Sequence, residues 1–279
     1  MGATDSTEIV NIALRKIGQK KISSLGDTTD TTAVKANDVY LPLLRKLLRE
    51  HPWTFATLSV ILGHVVDGTA KTITAATAAN PVVITSASHG FSDDDVVSIT
   101  SVIGMVELNG RKFTVQNKTT NTFELKSEDG SSHTTYTSAG TVGVVSVVGS
   151  EIDFDNRYAL PSDYLKKIKV IGEPEKNMPH RLQSNGSALE LVSNETQISI
   201  RYIAKITTTT QFDDTFVHVF SLLLASELAF TISQSRSMAS QMRVEYLNEL
   251  ARAKGLNAQE GGTPTDISAR QNDVLESRE

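Results

Sequence analysis

The sequence predicts an α+β fold, a bundle of about four long helices carrying a small antiparallel sheet, with an all-β barrel or sandwich module inserted into it. Three observations carry that expectation. Helix-period apolar stripes occupy both ends of the chain, within residues 6–49 and 213–254. Strand-like runs flank a central stretch on each side. That stretch, residues 70–147, breaks into short β-rich runs about ten residues apart, separated by turn sequences.

The first helix is expected over residues 6–17. Asp5 and Glu8 have capping-box spacing, Ile9, Ala13, Leu14 and Ile17 share a face, and Gly18 ends the run. Ile22 and Leu25 should anchor the polar loop that follows. The second helix starts after Asp30, a good N-cap. Its inward stripe is Ala33, Asn37, Tyr40, Leu41, Leu44, Leu47 and Leu48. Pro42 predicts a kink or a start nearer residue 41, and Pro52 bars continuation past His51. The lone tryptophan, Trp53, sits where this helix must stop, so Trp53 and Phe55, with Tyr40, Leu44 and Leu48, form the expected plug at the bundle end.

Residues 56–66 turn strand-like. Within the module the expected strands are 82–85, 96–101, 112–116, 122–126 and 141–148, with Asn109-Gly110 and Asp129-Gly130 among the turns. A further strand is expected over 165–171, and a hairpin of 189–192 with 197–204 across Asn194. The third helix covers about 213–233, with Phe216, Phe220, Leu223, Leu224, Glu227, Leu228 and Thr231 on one face and Ala225 and Ala229 on the other. The fourth covers about 235–254, with Met238, Met242, Tyr246, Leu247 and Leu250 inward and Gly255 as its cap. The domain division is therefore 1–69 with 148–260, an insert at 70–147, and a polar tail at 261–279, expected to be disordered when free.

Composition narrows function. The 279 residues carry a net charge of −5 and no cysteine. Cysteine-based catalysis and Cys-ligated zinc are excluded, and a basic DNA clamp is disfavoured. Residues 215–232 are apolar, but Glu227 would cost roughly 2.5–3.5 kcal/mol at a bilayer centre, so a buried helix is expected and no membrane partner. No phosphate loop, nucleophile elbow or zinc-helix spacing occurs. Asp93-Asp94-Asp95 lacks the spacing of a calcium loop and reads as a solvated turn. No enzyme, cofactor, metal or catalytic residue is expected. Helices three and four offer more apolar and small surface than one subunit needs. Phe220, Leu224, Ala225, Glu227, Leu228, Met238 and Met242 are the candidate subunit interface.

Four stretches together resemble the tail tubular protein A type of head-to-tail adaptor from short-tailed bacteriophages. They are Asn11 to Gly18 with Ile22 to Leu25, Tyr40 to Phe55 ending in His51-Pro52-Trp53-Thr54-Phe55-Ala56, Tyr158-Ala159-Leu160-Pro161-Ser162-Asp163-Tyr164, and Arg201-Tyr202-Ile203-Ala204 followed by Phe212 to Ala229 and the fourth helix. The insert, through His89-Gly90-Phe91, Gly104 to Arg111, Phe113-Thr114-Val115 and Asn121-Thr122-Phe123, is similar to a β-domain of ubiquitin-activating enzymes.

The adaptor resemblance implies a structural protein of the virion at the head–tail junction, assembled in the bacterial cytoplasm. It implies a twelve-fold ring of self-associated copies that joins the portal protein to the tail nozzle protein. Genomic DNA would pass through its channel without sequence-specific binding. An acidic balance suits such a conduit, because a basic lining would hold DNA. The tail, with Gly261, Thr263, Ile267, Val274 and Leu275, is the expected portal-docking segment. The alternative is a tail or surface module in which the β-insert recognises a host glycan.

Overall fold

The structure is a computed structural model and describes residues 5–145, 154–171 and 179–260. The chain divides into two compact units, one built from residues up to Leu58 and from Ile203 onward, the other from Ser59–Tyr202.

The first unit is helical. Helix α1 (Ser6–Lys16) is capped by Asp5, whose carboxylate accepts the Glu8 N–H at 2.7 Å. The loop after it is held by Asn11, which donates to the Ile22 carbonyl and accepts from the Ile22 N–H, so Ile22 and Leu25 are buried as expected. Helix α2 (Thr31–Glu50) is capped by Asp30 and runs unbroken through Pro42, whose exposed position lets the ring sit on the solvent side. Asn37 and Leu41 face outward rather than inward, Leu41 being 43% exposed. Ala36 completes the buried stripe instead. Helix α3 (Asp214–Thr231) starts from Asp213, which accepts the Phe216 N–H at 2.6 Å. Among the described residues it is the one helix long and apolar enough to cross a membrane. Here α1, α2 and α4 all pack against it, and most of its side chains are buried. Helix α4 (Arg236–Glu260) continues through Gly255, which caps nothing.

The β part is much larger than the sequence suggested, which overturns the expected bundle of four long helices with a small sheet. The described residues hold thirteen strands in three antiparallel sheets, at 34% helix and 26% strand, and α1 has only 11 residues. One three-stranded sheet has the order β1 (Thr57–Ile61), β13 (Ser199–Ala204), β10 (Tyr164–Ile171). A second has β11 (His180–Ser184), β12 (Leu189–Ser193), β9 (Asn156–Ala159). The expected hairpin across Asn194 does not form, since β12 pairs with β11 and β9 while β13 belongs to the other sheet. The turn at Asn194 separates sheets instead of joining partners. Its side chain accepts the Asp155 N–H at 2.9 Å, tying it to the start of β9.

The third sheet has seven strands: β2 (Lys71–Thr72), β8 (Thr141–Val144), β5 (Val96–Thr100), β6 (Lys112–Gln116), β7 (Thr122–Leu125), β4 (Val83–Thr85) and β3 (Ala75–Ala76) in spatial order. Its two end strands are neighbours in sequence, joined through Ile73 and Thr74, so one bent segment closes the sheet into a barrel and removes both edges. Period-two alternation sends Ile84, Val97, Ile99, Phe113, Val115, Phe123 and Leu125 into its core. The sequence missed β2 and β3, because two-residue strands carry no period. Gly104, at φ +94°, sits where a Cβ would lie 2.2 Å from the Thr135 carbonyl oxygen, so the chain there requires glycine.

In the Ser59–Tyr202 unit, residues 62–67 pair successively with Ile198, with Arg157 to Ala159, and with Val144 and Val145. This segment carries the chain from the small sheets to the barrel. His64 lies on it, buried, with Nδ1 at 3.2 Å from Ser98 Oγ and its ring 4.6 Å from that of Tyr158. Burial, helped by nearby Lys112, pushes the imidazole down to about 4. The unfolded chain takes up a proton here near pH 6.5 and the folded one only near 4, so stability is full above 6.5 and falls as pH drops between the two. The difference is on the order of 3 kcal/mol. Urea unfolding at pH 7 and pH 4.5 should show this loss in the wild type and a shallower one in His64→Gln. Equal slopes would mean His64 titrates normally.

Candidate functional site

The helical unit is organised around the corner where α2 ends. Trp53 is fully buried, its indole N–H donates to the Leu47 carbonyl at 3.1 Å, and its ring meets His51, Phe55 and Phe216 at 5.0, 6.5 and 5.1 Å. Phe55 also packs on Phe212 and Phe216, and Tyr40 lies edge-on to Phe220 at 5.1 Å. Tyr40, Leu44 and Leu48 are buried with them. Tyr40, Leu44 and Leu48 thus lie along the buried face of α2, and Trp53 and Phe55 just past its end.

Asn257, on the last turns of α4, completes the corner and carried no signal in the sequence. Its Oδ1 accepts both the N–H and the hydroxyl of Thr54, at 3.0 and 3.1 Å, and its Nδ2 donates to His51 Nε2 at 3.0 Å and the Pro52 carbonyl at 3.4 Å. As an acceptor His51 must be neutral, and burial followed by the Lys254 charge lowers its pKa accordingly. Tyr246, three turns earlier on the same face of α4, donates to Glu50 at 3.0 Å. The α2 C-terminus is therefore stapled to α4 by polar bonds laid over an aromatic core.

The candidate interface residues divide by position. Phe220, Leu224, Ala225 and Leu228 are buried inside the unit, as is Met242. Met238 is half-buried, and Glu227 is exposed on α3. The exposed large apolar side chains of this unit lie elsewhere, at Val34 and Leu41 on α2, at Leu58, at Phe230 on α3 and at Val244, Leu247 and Leu256 on α4. Gly261, Thr263, Ile267, Val274 and Leu275 lie outside the described residues.

In the other unit, the Tyr158–Tyr164 stretch meets Tyr202. Tyr202 donates to Asp163 at 3.0 Å and stacks on Tyr164 at 6.0 Å. On the neighbouring sheet Glu190, 2% exposed, receives the Arg157 guanidinium through two bonds, at 2.8 and 2.7 Å. Asn185 also donates to it. In the barrel, Arg111 grips Glu128 at 2.6 and 2.8 Å, and Glu107 accepts the Thr134 hydroxyl and N–H, which hold its carboxyl down at about 2. No group of three potential metal ligands occurs among the described residues.

Most of the barrel is similar to a known module. Residues 80–146 match the family model described as the ubiquitin-activating enzyme E1 FCCH domain. The match runs from just before β4 through β8 and covers 67 of the 279 residues. The similarity expected for the insert is thereby met, as a likeness of the module alone. No curated protein matches the chain.

Proposed function

We propose that this protein is a non-enzymatic virion component, a ring-forming adaptor that joins a portal to a tail nozzle and surrounds passing DNA. The reading rests on the adaptor resemblance, and one observation carries it into three dimensions. Helix α4 buries one face in its own unit, and its opposite face is also largely uncharged. Met242, Tyr246, Leu250, Ala253 and Asn257 point inward and are buried. Ser240, Val244, Leu247, Ala251, Gly255 and Ala258 recur at three-to-four spacing on the opposite side and are all exposed, Val244 at 59% and Leu247 at 50%. A solvated helix normally places charge there. A face of this kind suits contact with a neighbouring copy, repeated head to tail until a ring closes.

Within each unit, stretches that carry the resemblance lie against one another. His51 to Ala56 packs on Phe212 and Phe216, and Asp163-Tyr164 packs on Tyr202. The net charge of −5 favours passage of DNA over its retention. The tail after residue 260 is the proposed portal-docking segment.

Mass measurement of the purified protein, alone and mixed with portal, tests the proposal. The expected species is a closed multiple of the 30.2 kDa chain in at least the portal-containing sample. Leu247→Asp with Val244→Asp should shift it to the single-chain mass while leaving the far-ultraviolet circular dichroism unchanged. A wild-type protein that stays at 30.2 kDa in both samples ends the proposal.

A further inference from the structure

We propose that the barrel carries a saccharide subsite for an acidic sugar residue, in the hollow between the β4–β5 loop and the β6–β7 turn. The hollow measures about 530 Å³, within the range of small-ligand sites, and is lined by Ser88, Gly90, Phe91, Ser92, Lys118 and Thr120 among others. Its distinguishing property is a split between backbone and side chains.

The backbone around it is tied down across the two loops. Ser86 N–H donates to the Asn121 carbonyl at 2.8 Å and Ser88 N–H to Asn121 Oδ1 at 3.0 Å. Lys118 N–H donates to Asp93 Oδ1 at 3.0 Å, and Ser92 N–H to Asp95 Oδ2 at 2.8 Å. Buried His89 braces both sides. Its Nδ1 accepts the Phe91 N–H at 3.0 Å, so Nε2 carries the proton toward the Thr122 carbonyl at 3.3 Å. Ser88 and Asn117 are held at φ 48° and 50°, left-handed values unfavourable for residues with a side chain. Local strain of this sort persists only where surrounding bonds enforce it.

The side chains that face the hollow are left over. The Ser88, Ser92 and Thr120 hydroxyls and the Lys118 ammonium take no intramolecular hydrogen bond or ion pair among the described residues. Three hydroxyls that both donate and accept match sugar hydroxyls. The ammonium is the one cation of the lining and selects a carboxylate. Of the nearby acids, Asp93 and Asp95 accept backbone N–H groups of the rim, those of Lys118 and Ser92, and Asp94 pairs with Lys126 at 3.2 Å. Phe91 lies beneath the floor at 6% exposure and offers no platform for stacking a base. Because the loops are fixed beforehand, binding forfeits little ordering entropy. The site is independent of ring formation.

Saturation-transfer difference NMR on the full chain, with methyl β-glucuronide, methyl β-glucoside and acetate as probes, decides the matter. The glucuronide should receive saturation and bind more tightly than the glucoside. Lys118→Ala should weaken it at least about tenfold, and Thr120→Trp, which fills the hollow, should abolish transfer. Both variants should keep the wild-type particle mass, which separates this result from the assembly proposal. The proposal is overturned by any of three results: no transfer to the glucuronide, affinity unchanged in both variants, or acetate displacing the sugar as well as the sugar itself does.

Discussion

Trp53→Ala should cost the helical unit about 3–5 kcal/mol, the range for deleting a large aromatic from a packed core. The indole is fully buried and touches three other rings, so its removal leaves a hole walled by Phe55, Phe216 and the end of α2. Those walls cannot collapse freely. Asn257 fixes Thr54 and Pro52 from one side, and Phe216 is fixed by the α3 packing. The effect should appear in urea unfolding followed by circular dichroism at 222 nm, since the substitution removes the only tryptophan and with it the fluorescence probe. Trp53→Phe keeps an aromatic ring in the stack but forfeits the bond to the Leu47 carbonyl, and should lose only part of this. A midpoint in Trp53→Ala within error of the wild type would show that the corner is not a core element. A self-associated protein gains apparent stability by mass action, so all comparisons belong at one protein concentration.

The parts of the fold that were legible in the sequence are those governed by local chemistry. Asp5 and Asp30 cap helices because a carboxylate satisfies amide donors two or three residues ahead, whatever lies elsewhere. The strand at residues 112–116 was fixed by alternation alone. What was not legible depends on partners distant in the chain. The strand at residues 189–193 has the right period for a hairpin with the next strand, yet it pairs with β9, some 30 residues earlier. Leu41 is apolar and at helical spacing, and still faces outward, because Ala36 and Tyr40 already fill the contact with α3. Gly255 looked like a cap because glycine usually ends helices, but Asn257 beyond it is needed at the Trp53 corner, and the helix extends to deliver it. The same limit applies to the sites. Trp53 announced itself by being alone after a helix stop. Lys118 and Asn257 are ordinary polar residues, and only the arrangement of their neighbours sets them apart.

Arg157 and Glu190 give the second large effect. Neither position drew notice in the sequence, because an alternating strand tolerates one charged residue anywhere on its outer face. In the structure Glu190 faces inward, 2% exposed, and its charge is balanced by a two-point guanidinium contact with an additional amide from Asn185. Removing the cation alone strands a carboxylate in a poorly hydrated place, so Arg157→Met should lose about 3–5 kcal/mol. Glu190→Gln keeps the shape but gives Arg157 a neutral amide, and should lose less because the guanidinium is closer to solvent, at 18% side-chain exposure. The double change to Met at both positions is the informative one. A buried ion pair stabilises little compared with well-packed apolar groups, so the double variant should recover much of what Arg157→Met loses. Urea midpoints of the wild type, Arg157→Met, Glu190→Met and the double variant at pH 7 close the double-mutant cycle, and the coupling between the two positions should be several times the error of about 0.5 kcal/mol expected for independent sites. Additive losses would mean that Glu190 is hydrated in solution and that the pair does not hold β9 to β12.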